Sequence, residues 1–321
     1  MSKELFLWPN GSGRAALAAL GRSAEASVAE TRLRELFPSA HPVLVSSGRA
    51  GLALSLAFMG LSRSQGVSLF PFASHCVLEA VSRHATPWQG SDGRVAARIL
   101  YHQWGYIQEI GVNDTVIEDA VIEDAVDCFC LPGATLMPAG GAFEIWSLPK
   151  ILGTLSGGVI WCRQSESAEA LRHLRDDRQA GALLQWGLRM LGRRWPWCGS
   201  LWAGRESMLG ALPNWAVGEI LLAIERWSEL AHARQERLAL VGSILPDWLP
   251  LALDRLPCVV PVSLDQARLL TNLGTGTSCL TFERIDSSGQ RTLLPCFPLP
   301  IHHEVPLPQL TKVVAILEAG R

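Results

Sequence analysis

The sequence predicts an α/β fold with a largely parallel sheet. Two observations lead there. Short apolar runs of strand length alternate with stretches of helical periodicity from His41 to Asp177. Small or acidic residues stand where those runs end, the edge at which open α/β sheets gather ligands.

The elements follow in order. HPVLVSSG, from His41, reads as a strand ending in a small-residue turn, and AGLALSLAFMGL, from Ala50, as the helix after it. GVSLFPF, from Gly66, is a second strand, followed by a helix over CVLEAVSRHA. RILYHQWG, from Arg98, is a third strand, and VIEDA at Val121 ends a fourth. GGVIWC, from Gly157, is a strand, and SAEALRHLRDD, from Ser167, a helix. Residues 179–212 differ in character: they are rich in Leu, Arg, Gly and Trp, with Trp186, Trp195, Trp197 and Trp202 among them. Extra helices over the core are the expectation for this insertion. One long helix is expected from Ala216 to Leu245, closed by Pro246 and Pro250. Weaker strands, a Ser-Ser-Gly turn at Ser287 and a helix near Leu310 to Leu317 complete the chain. The expected division is a large domain over residues 1–245 and a small C-terminal α/β domain over 246–321.

Composition removes several classes of function. With 48% hydrophobic and 18% charged residues, a sizeable core can be buried. The net charge is −2 with no long basic run, so neither nucleic acid nor an anionic membrane is an expected partner. No apolar stretch is long enough to span a bilayer, and the N-terminal residues lack the pattern of a secretory signal. Eight scattered cysteines without a C-x-x-C pair argue against zinc. His302 and His303 have no third ligand near them in sequence, so no metal is expected. Reduced cysteines in a cytoplasmic protein are the plain reading.

Three places hold residues suited to chemistry. Ser46-Ser47-Gly48-Arg49 lies between a strand and a helix, where backbone N–H groups at a helix N-terminus favour phosphate. Many α/β proteins have such a turn without a ligand. An acidic residue ends a strand at Asp124, or at Asp119 if the first copy of the repeated VIEDA is the strand. A carboxylate there suits a protonated ring nitrogen, and it equally suits a solvated loop. In SLPKILGTLSGG, from Ser147, Lys150 has apolar neighbours and is followed by Gly157-Gly158. Burial lowers an amine's pKa and makes it a nucleophile toward aldehydes. A lysine extending from a helix end into solvent fits the same pattern.

Taken together and in this order, these segments resemble the DegT/DnrJ/StrS family of sugar aminotransferases, fold-type I enzymes dependent on pyridoxal phosphate (PLP). SSGRAGLALSLAFMGL is similar to the family's phosphate turn and helix. PFASHCVLEAV resembles the segment over the cofactor ring, YHQWG the strand ending in a histidine, an aromatic residue and a glycine, and VIEDAV the strand with the pyridinium-binding aspartate. SLPKILGTLSGGVIW keeps the family's distance from lysine to Gly-Gly, and PNWAVGEILLAIERWSEL resembles its Asn-aromatic motif and the following helix. The resemblance implies a large domain with a seven-stranded-type sheet and a small C-terminal domain. It implies that Lys150 holds PLP as a Schiff base and then serves as general base. It further implies Asp124 on the ring nitrogen, Gly48 and Arg49 on the phosphate, Ser147 as an added hydroxyl donor and His75 on the ring. Asn214 would reach the phosphate of a neighbouring subunit in a homodimer. The implied reaction passes an amino group from an amino acid to a nucleotide-linked keto-sugar, as in polysaccharide biosynthesis.

The chain departs from the family's pattern at identifiable positions. Asp127 stands three residues after Asp124, where the family usually has a polar or imidazole side chain, and Ala216 replaces its usual arginine. Two alternatives accompany the leading reading. One is a PLP enzyme of the same fold with another amine or keto substrate. The other is a member that has lost catalysis and serves in binding or assembly.

Overall fold

The computed structural model describes residues 6–9, 19, 21–88, 95–108, 120–177, 191, 195, 197, 210–245, 254–270, 280–285 and 291–320. Its centre is a seven-stranded sheet. In chain order the strands are β1 (His41–Val45), β2 (Gly66–Ser68), β3 (Thr86–Trp88), β4 (Ala97–Tyr101), β5 (Val121–Asp124), β7 (Phe143–Ser147) and β8 (Gly158–Cys162). They lie side by side as β1-β8-β7-β5-β4-β2-β3. Strands β3, β2, β4, β5 and β7 pair parallel, while β8 runs antiparallel to both β7 and β1. The largely parallel α/β expectation therefore holds, with β8 as the reversed strand. Helices α1 (Ala26–Leu36), α2 (Gly48–Phe58), α3 (His75–Ser82), α4 (Leu148–Leu152) and α5 (Ser165–Asp176) connect and cover it.

Side chains alternate between two cores, as the period of two along a strand requires. Val43 and Val45 face one apolar cluster with Phe143, Ile145 and Ile160. Leu44, Trp146, Val159 and Trp161 face the other. On that second face Phe37, Trp146, Trp161 and Trp227 form an aromatic cluster with ring centroids 5.0–6.0 Å apart. Aromatic pairs at such separations add to the stabilisation from area burial. The strands carry nearly unbroken apolar runs because helices cover both faces.

The expected single helix from Ala216 to Leu245 is two. Helix α6 spans Asn214–Glu225 and α7 spans Trp227–Leu240. The break falls at Arg226, whose φ of −95° and ψ of 11° leave the helical region. Trp227 starts the second helix fully buried and donates its indole N–H to the carbonyl of Cys130 at 3.0 Å. Apolar spacing alone does not reveal that one indole must reach a specific carbonyl. Helix α7 ends at Leu240, before either proline, in a short 3-10 turn from Gly242 to Ile244. The strand expected over GVSLFPF is only Gly66–Ser68: Pro71 has no N–H to donate, and Phe72 turns the chain at φ 57°.

Beyond residue 254, β10 (Val259–Ser263), β12 (Arg291–Pro300) and β11 (Leu280–Ile285) form a three-stranded antiparallel sheet with that spatial order. Helices α8 (Leu264–Arg268) and α9 (Leu307–Ala319) accompany it. Its apolar cluster also takes in Val241 and Ile244. The turn at Ser287 and most of the Trp-rich insertion lie outside the described residues. Among the described residues no helix is long and apolar enough to cross a membrane. No group of three or more His, Cys, Asp or Glu side chains among them is placed to hold a metal ion.

Two buried polar pairs, one of them an Arg–Glu ion pair, hold the sheet to its surroundings. Glu144 on β7 accepts two hydrogen bonds from the Arg255 guanidinium, at 3.0 and 2.9 Å, with others from the Trp146 indole and the Met137 N–H. Arg255 lies on β9 (Arg255–Leu256), which pairs with β6 (Phe129–Cys130). His102 bonds Glu123 on β5 at 2.7 Å, and its Nδ1 accepts the Gln108 N–H. Breaking such a pair leaves an uncompensated buried charge. Replacing Arg255 by Met should therefore lower stability by about 3–5 kcal/mol, read as an earlier denaturant midpoint than wild type. Replacing the exposed Arg22, paired with Glu225 at 3.1 Å, should cost under about 1 kcal/mol in the same measurement.

Candidate active site

The site grows from one edge of the sheet. Parallel pairing aligns strand ends: Tyr101 on β4 is level with Asp124 on β5, and Asp124 with Ile145 on β7. The reversed β8 begins at the same edge, with Gly158 level with both Ser147 and Val45. The residues that end β1, β4, β5 and β7 therefore lie along one margin, where ligands of open α/β sheets bind.

The Gly157-Gly158 pair closes this margin. Gly157 has a φ of +108°, a conformation L side chains rarely adopt, and its N–H bonds the carbonyl of Ser46 at 2.9 Å. A Cβ on Gly158 would stand 2.4 Å from the carbonyl carbon of Ser47 and 2.5 Å from the nitrogen of Gly48. Only glycine lets the strand after Lys150 lie against the turn before α2. Gly48 is confined less severely: a Cβ there would meet Val126, Ser147 and Trp146 at 3.1–3.3 Å. Ser47 caps α2, its hydroxyl accepting the Ala50 N–H at 3.1 Å.

A cavity of about 730 Å³ opens at this margin, and Gly48, Arg49, Asp124, Ser147 and Lys150 all line it. The other two expected residues do not. His75 is the first residue of α3 and is exposed, with its Nε2 3.5 Å from the Cys76 sulfur. Phe70, Phe72, Ser74 and Cys76 line the cavity around it, because the chain turns at Phe72 before the helix begins. Asn214 begins α6, is exposed, and accepts the Ala24 N–H through its carbonyl. Pro213, not Asn214, holds the cap position of that helix. Asp119 lies outside the described residues.

Other residues complete the cavity. Asp127 is fully buried; its Oδ2 accepts the Tyr101 hydroxyl at 2.6 Å and lies 3.9 Å from Lys150 Nζ. The Trp8 ring centroid is 4.7 Å from the same nitrogen, within cation–π range. The Arg49 guanidinium is directed at the Cys76 sulfur. The position of Asp127, three residues beyond Asp124, was the available signal for it. Nothing in the N-terminal segment marks Trp8.

The electrostatics suit a cationic ring. Burial pushes the Asp124 carboxyl up to about 6, although Lys150 pulls it down. Burial also raises Asp127 against the opposing pull of Lys150 and of its hydrogen bonds, from Tyr101 and backbone N–H groups. Tyr101 is held far above its ordinary range by burial and by the Asp127 charge, so it stays a donor. Two buried carboxylates thus share one lysine. A protonated pyridine nitrogen at Asp124 supplies the counter-charge this set lacks, and the N-terminus of α2 offers a phosphate seat. The residues present fit PLP.

An open α/β sheet with a lysine, a strand-end carboxylate and a helix N-terminus around one cavity defines the fold-type I class of PLP-dependent enzymes. The chain belongs to a PLP-dependent aminotransferase family, whose model matches residues 29–249. Solved structures share the fold over nearly the whole length. The aminotransferase TlmJ from Streptoalloteichus hindustanus is 18% identical, with 99% of each chain covered and a TM-score of 0.65. The sugar aminotransferase CalS13 from Micromonospora echinospora is 17% identical, with 100% of each covered and a TM-score of 0.62. A DegT DnrJ EryC1 StrS aminotransferase from Brucella abortus is 14% identical, covering 96% of this chain and 95% of that one, at a TM-score of 0.59. No curated protein sequence matches the chain.

The raised Asp124 has a consequence for the cofactor-free protein. A carboxyl whose folded pKa exceeds its unfolded value binds more protons when folded, so it costs stability as pH rises from the ordinary 3.8 through about 6. The shift corresponds to a cost of about 3 kcal/mol once both states are ionised. Asp124→Asn should therefore stabilise the cofactor-free protein at pH 7.5, and by less at pH 5. Chemical denaturation at the two pH values checks this; an equal or reversed difference contradicts it.

Proposed function

We propose that this chain transfers an amino group from an amino acid to a keto-sugar, nucleotide-linked, as a cytoplasmic homodimer with Lys150 as the catalytic residue. The observation that carries the reading is the convergence of Lys150, Asp124 and the N-terminus of α2 on one cavity. Support for the sugar comes from the fold shared with sugar aminotransferases and from the sequence motifs of the DegT/DnrJ/StrS family.

Bound PLP supplies an electron sink for the pair released when a proton leaves the amine-bearing carbon. The chain's residues orient and tune that chemistry. Gly48 and Arg49, in the first turn of α2, would hold the phosphate with backbone N–H groups, and Ser147 would add a hydroxyl. Asp124 would pair with the ring nitrogen and favour its protonated form. Lys150 would hold the cofactor aldehyde and serve as the general base at the substrate carbon. Phe70 and Phe72 line the cavity, and His75 follows them at the start of α3.

Borohydride reduction of the PLP-loaded protein, followed by peptide mapping, should place the adduct on Lys150. An adduct on Lys3 or Lys312 sinks the assignment. Asp124→Asn should retain PLP and lose about 10²–10³-fold in turnover, while Asp119→Asn should not. Transfer itself is read by loss of the yellow absorbance on adding an amino donor and its return with a keto-sugar acceptor.

Asn214 is proposed to reach the partner subunit's cofactor phosphate, consistent with its exposure and with its absence from the lining of this chain's own cavity. Asn214→Ala should raise the Kd for PLP about tenfold, the worth of one hydrogen bond to a charged group. The melting temperature should hardly change, since Asn214 is not the helix cap. A monomer by light scattering with full PLP occupancy contradicts the shared site.

A further inference from the structure

Asp127 stands on the turn that leaves β5, and both its oxygens are engaged. Oδ1 accepts the Trp104 N–H at 2.9 Å, and Oδ2 accepts the Tyr101 hydroxyl at 2.6 Å. The carboxylate is thereby fixed in plane and direction. Its Oδ2 lies 3.9 Å from Lys150 Nζ, and the Trp8 ring lies 4.7 Å from the same nitrogen. One face of this arrangement is anionic and the other is the electron-rich face of an indole, so both attract an ammonium group.

The ionisable groups around the pair are few. Asp124 comes from β5, Tyr101 from β4 and Cys258 from the segment before β10. Burial holds Tyr101 and Cys258 in their uncharged forms. His102, beside Tyr101, is bonded to Glu123. Asp124 is the residue assigned to the ring nitrogen. That leaves Asp127 as the carboxylate available to the lysine.

We propose that Asp127, held by Tyr101 and Trp104, is a positioning residue that fixes the Lys150 nitrogen and keeps a proton on it. An imidazole or amide at this place supplies no fixed negative charge, so the chain's departure from the family's pattern is what creates the effect. The inference rests on Lys150 being the cofactor's lysine. The competing role is purely structural: Asp127 ties down Trp104, whose φ of 59° is a left-handed conformation that costs energy in a bulky residue.

The test uses the PLP-loaded protein, whose absorbance responds to the proton on the lysine nitrogen. Absorbance is titrated against pH in wild type, Asp127→Asn, Asp127→His and Asp127→Glu, with circular dichroism to verify folding. Asn keeps an oxygen for the Trp104 N–H and offers its amide to the Tyr101 oxygen, so it removes the charge and spares the staple. The titration midpoint should fall by about 1–3 pH units in the Asn variant, as for a cation that loses an opposite charge about 4 Å away. The His variant should move the same way and carries the test if Asn does not fold. Glu, which keeps the charge, should return the midpoint toward wild type. Folded Asn or His variants that titrate within about half a unit of wild type overturn the proposal, because that is well below the effect of such a charge. Failure of both to fold overturns it in favour of the staple. A wild-type protein that takes no PLP on Lys150 ends the parent reading instead, whereas normal colour with unmoved midpoints ends only this one.

Discussion

The site depends on one close approach of backbone to backbone. Gly158 lies so near Ser47 and Gly48 that a single added carbon would sit 2.4 Å from the main chain. This contact puts the start of β8 against the turn that begins α2. The strand before it, β7, pairs with β8 from Phe143 to Ser147 and delivers α4, with Lys150 at its centre, to the same place. The lysine and the phosphate turn are far apart in sequence, and it is the glycine contact that makes them neighbours. Gly153, left-handed at φ 76°, ends α4 and lets the chain return toward Gly157. A side chain at Gly158 would separate two halves of one cavity, so the residue belongs to the site although it has no functional group.

The rest of the sheet supports that margin from behind. Glu144 sits on β7 between Phe143 and Ile145 but faces the opposite core, where Arg255, Trp146 and the Met137 N–H saturate it. Glu123 does the same on β5, accepting from His102, Ala139 and Gly141. Each acid directly precedes a residue that lines the cavity, Asp124 after Glu123 and Ile145 after Glu144, and alternation sends the two to opposite faces. Buried charges that are this fully hydrogen-bonded resist displacement, because removing either partner exposes an unpaired group to a low dielectric. They fix the register that sets Tyr101, Asp124 and Ser147 level.

Much of this was legible in the sequence, and the parts that were not share a cause. The apolar runs at His41, Val121 and Gly157 announce strands because both faces of the sheet are covered. Asp124, Gly48, Arg49 and Ser147 fall at strand or helix ends and Lys150 in the short helix after β7, and the order of the family's motifs, more than any one local pattern, points to them together. The setting of His75 and the helix break at Arg226 escape the apolar pattern because each depends on a conformation or contact that the pattern does not encode. The left-handed Phe72 swings its segment so that residues beside His75, not its ring, face the cavity. Trp227 must meet the Cys130 carbonyl, 97 residues away. Strand β7 escaped notice because Glu144 interrupts its apolar run, and only Arg255 explains a charge there.

The two site carboxylates show how environment divides labour between like residues. Asp124 lies on the last position of β5 with one nearby backbone donor, the Val126 N–H at 3.2 Å, so it retains lone pairs for a cation brought from outside. Asp127 lies on the turn with two strong donors and a lysine, so its capacity is already committed within the chain. Both feel the same desolvation, and both feel Lys150. Two ionised carboxylates around a single ammonium leave one negative charge unmatched in a buried place. On the proposed function, a bound cationic ring would meet that imbalance at Asp124, the carboxylate with fewer committed donors, and would leave Lys150 to Asp127. The positions of the donors, more than the identity of the acids, therefore set the two carboxylates apart.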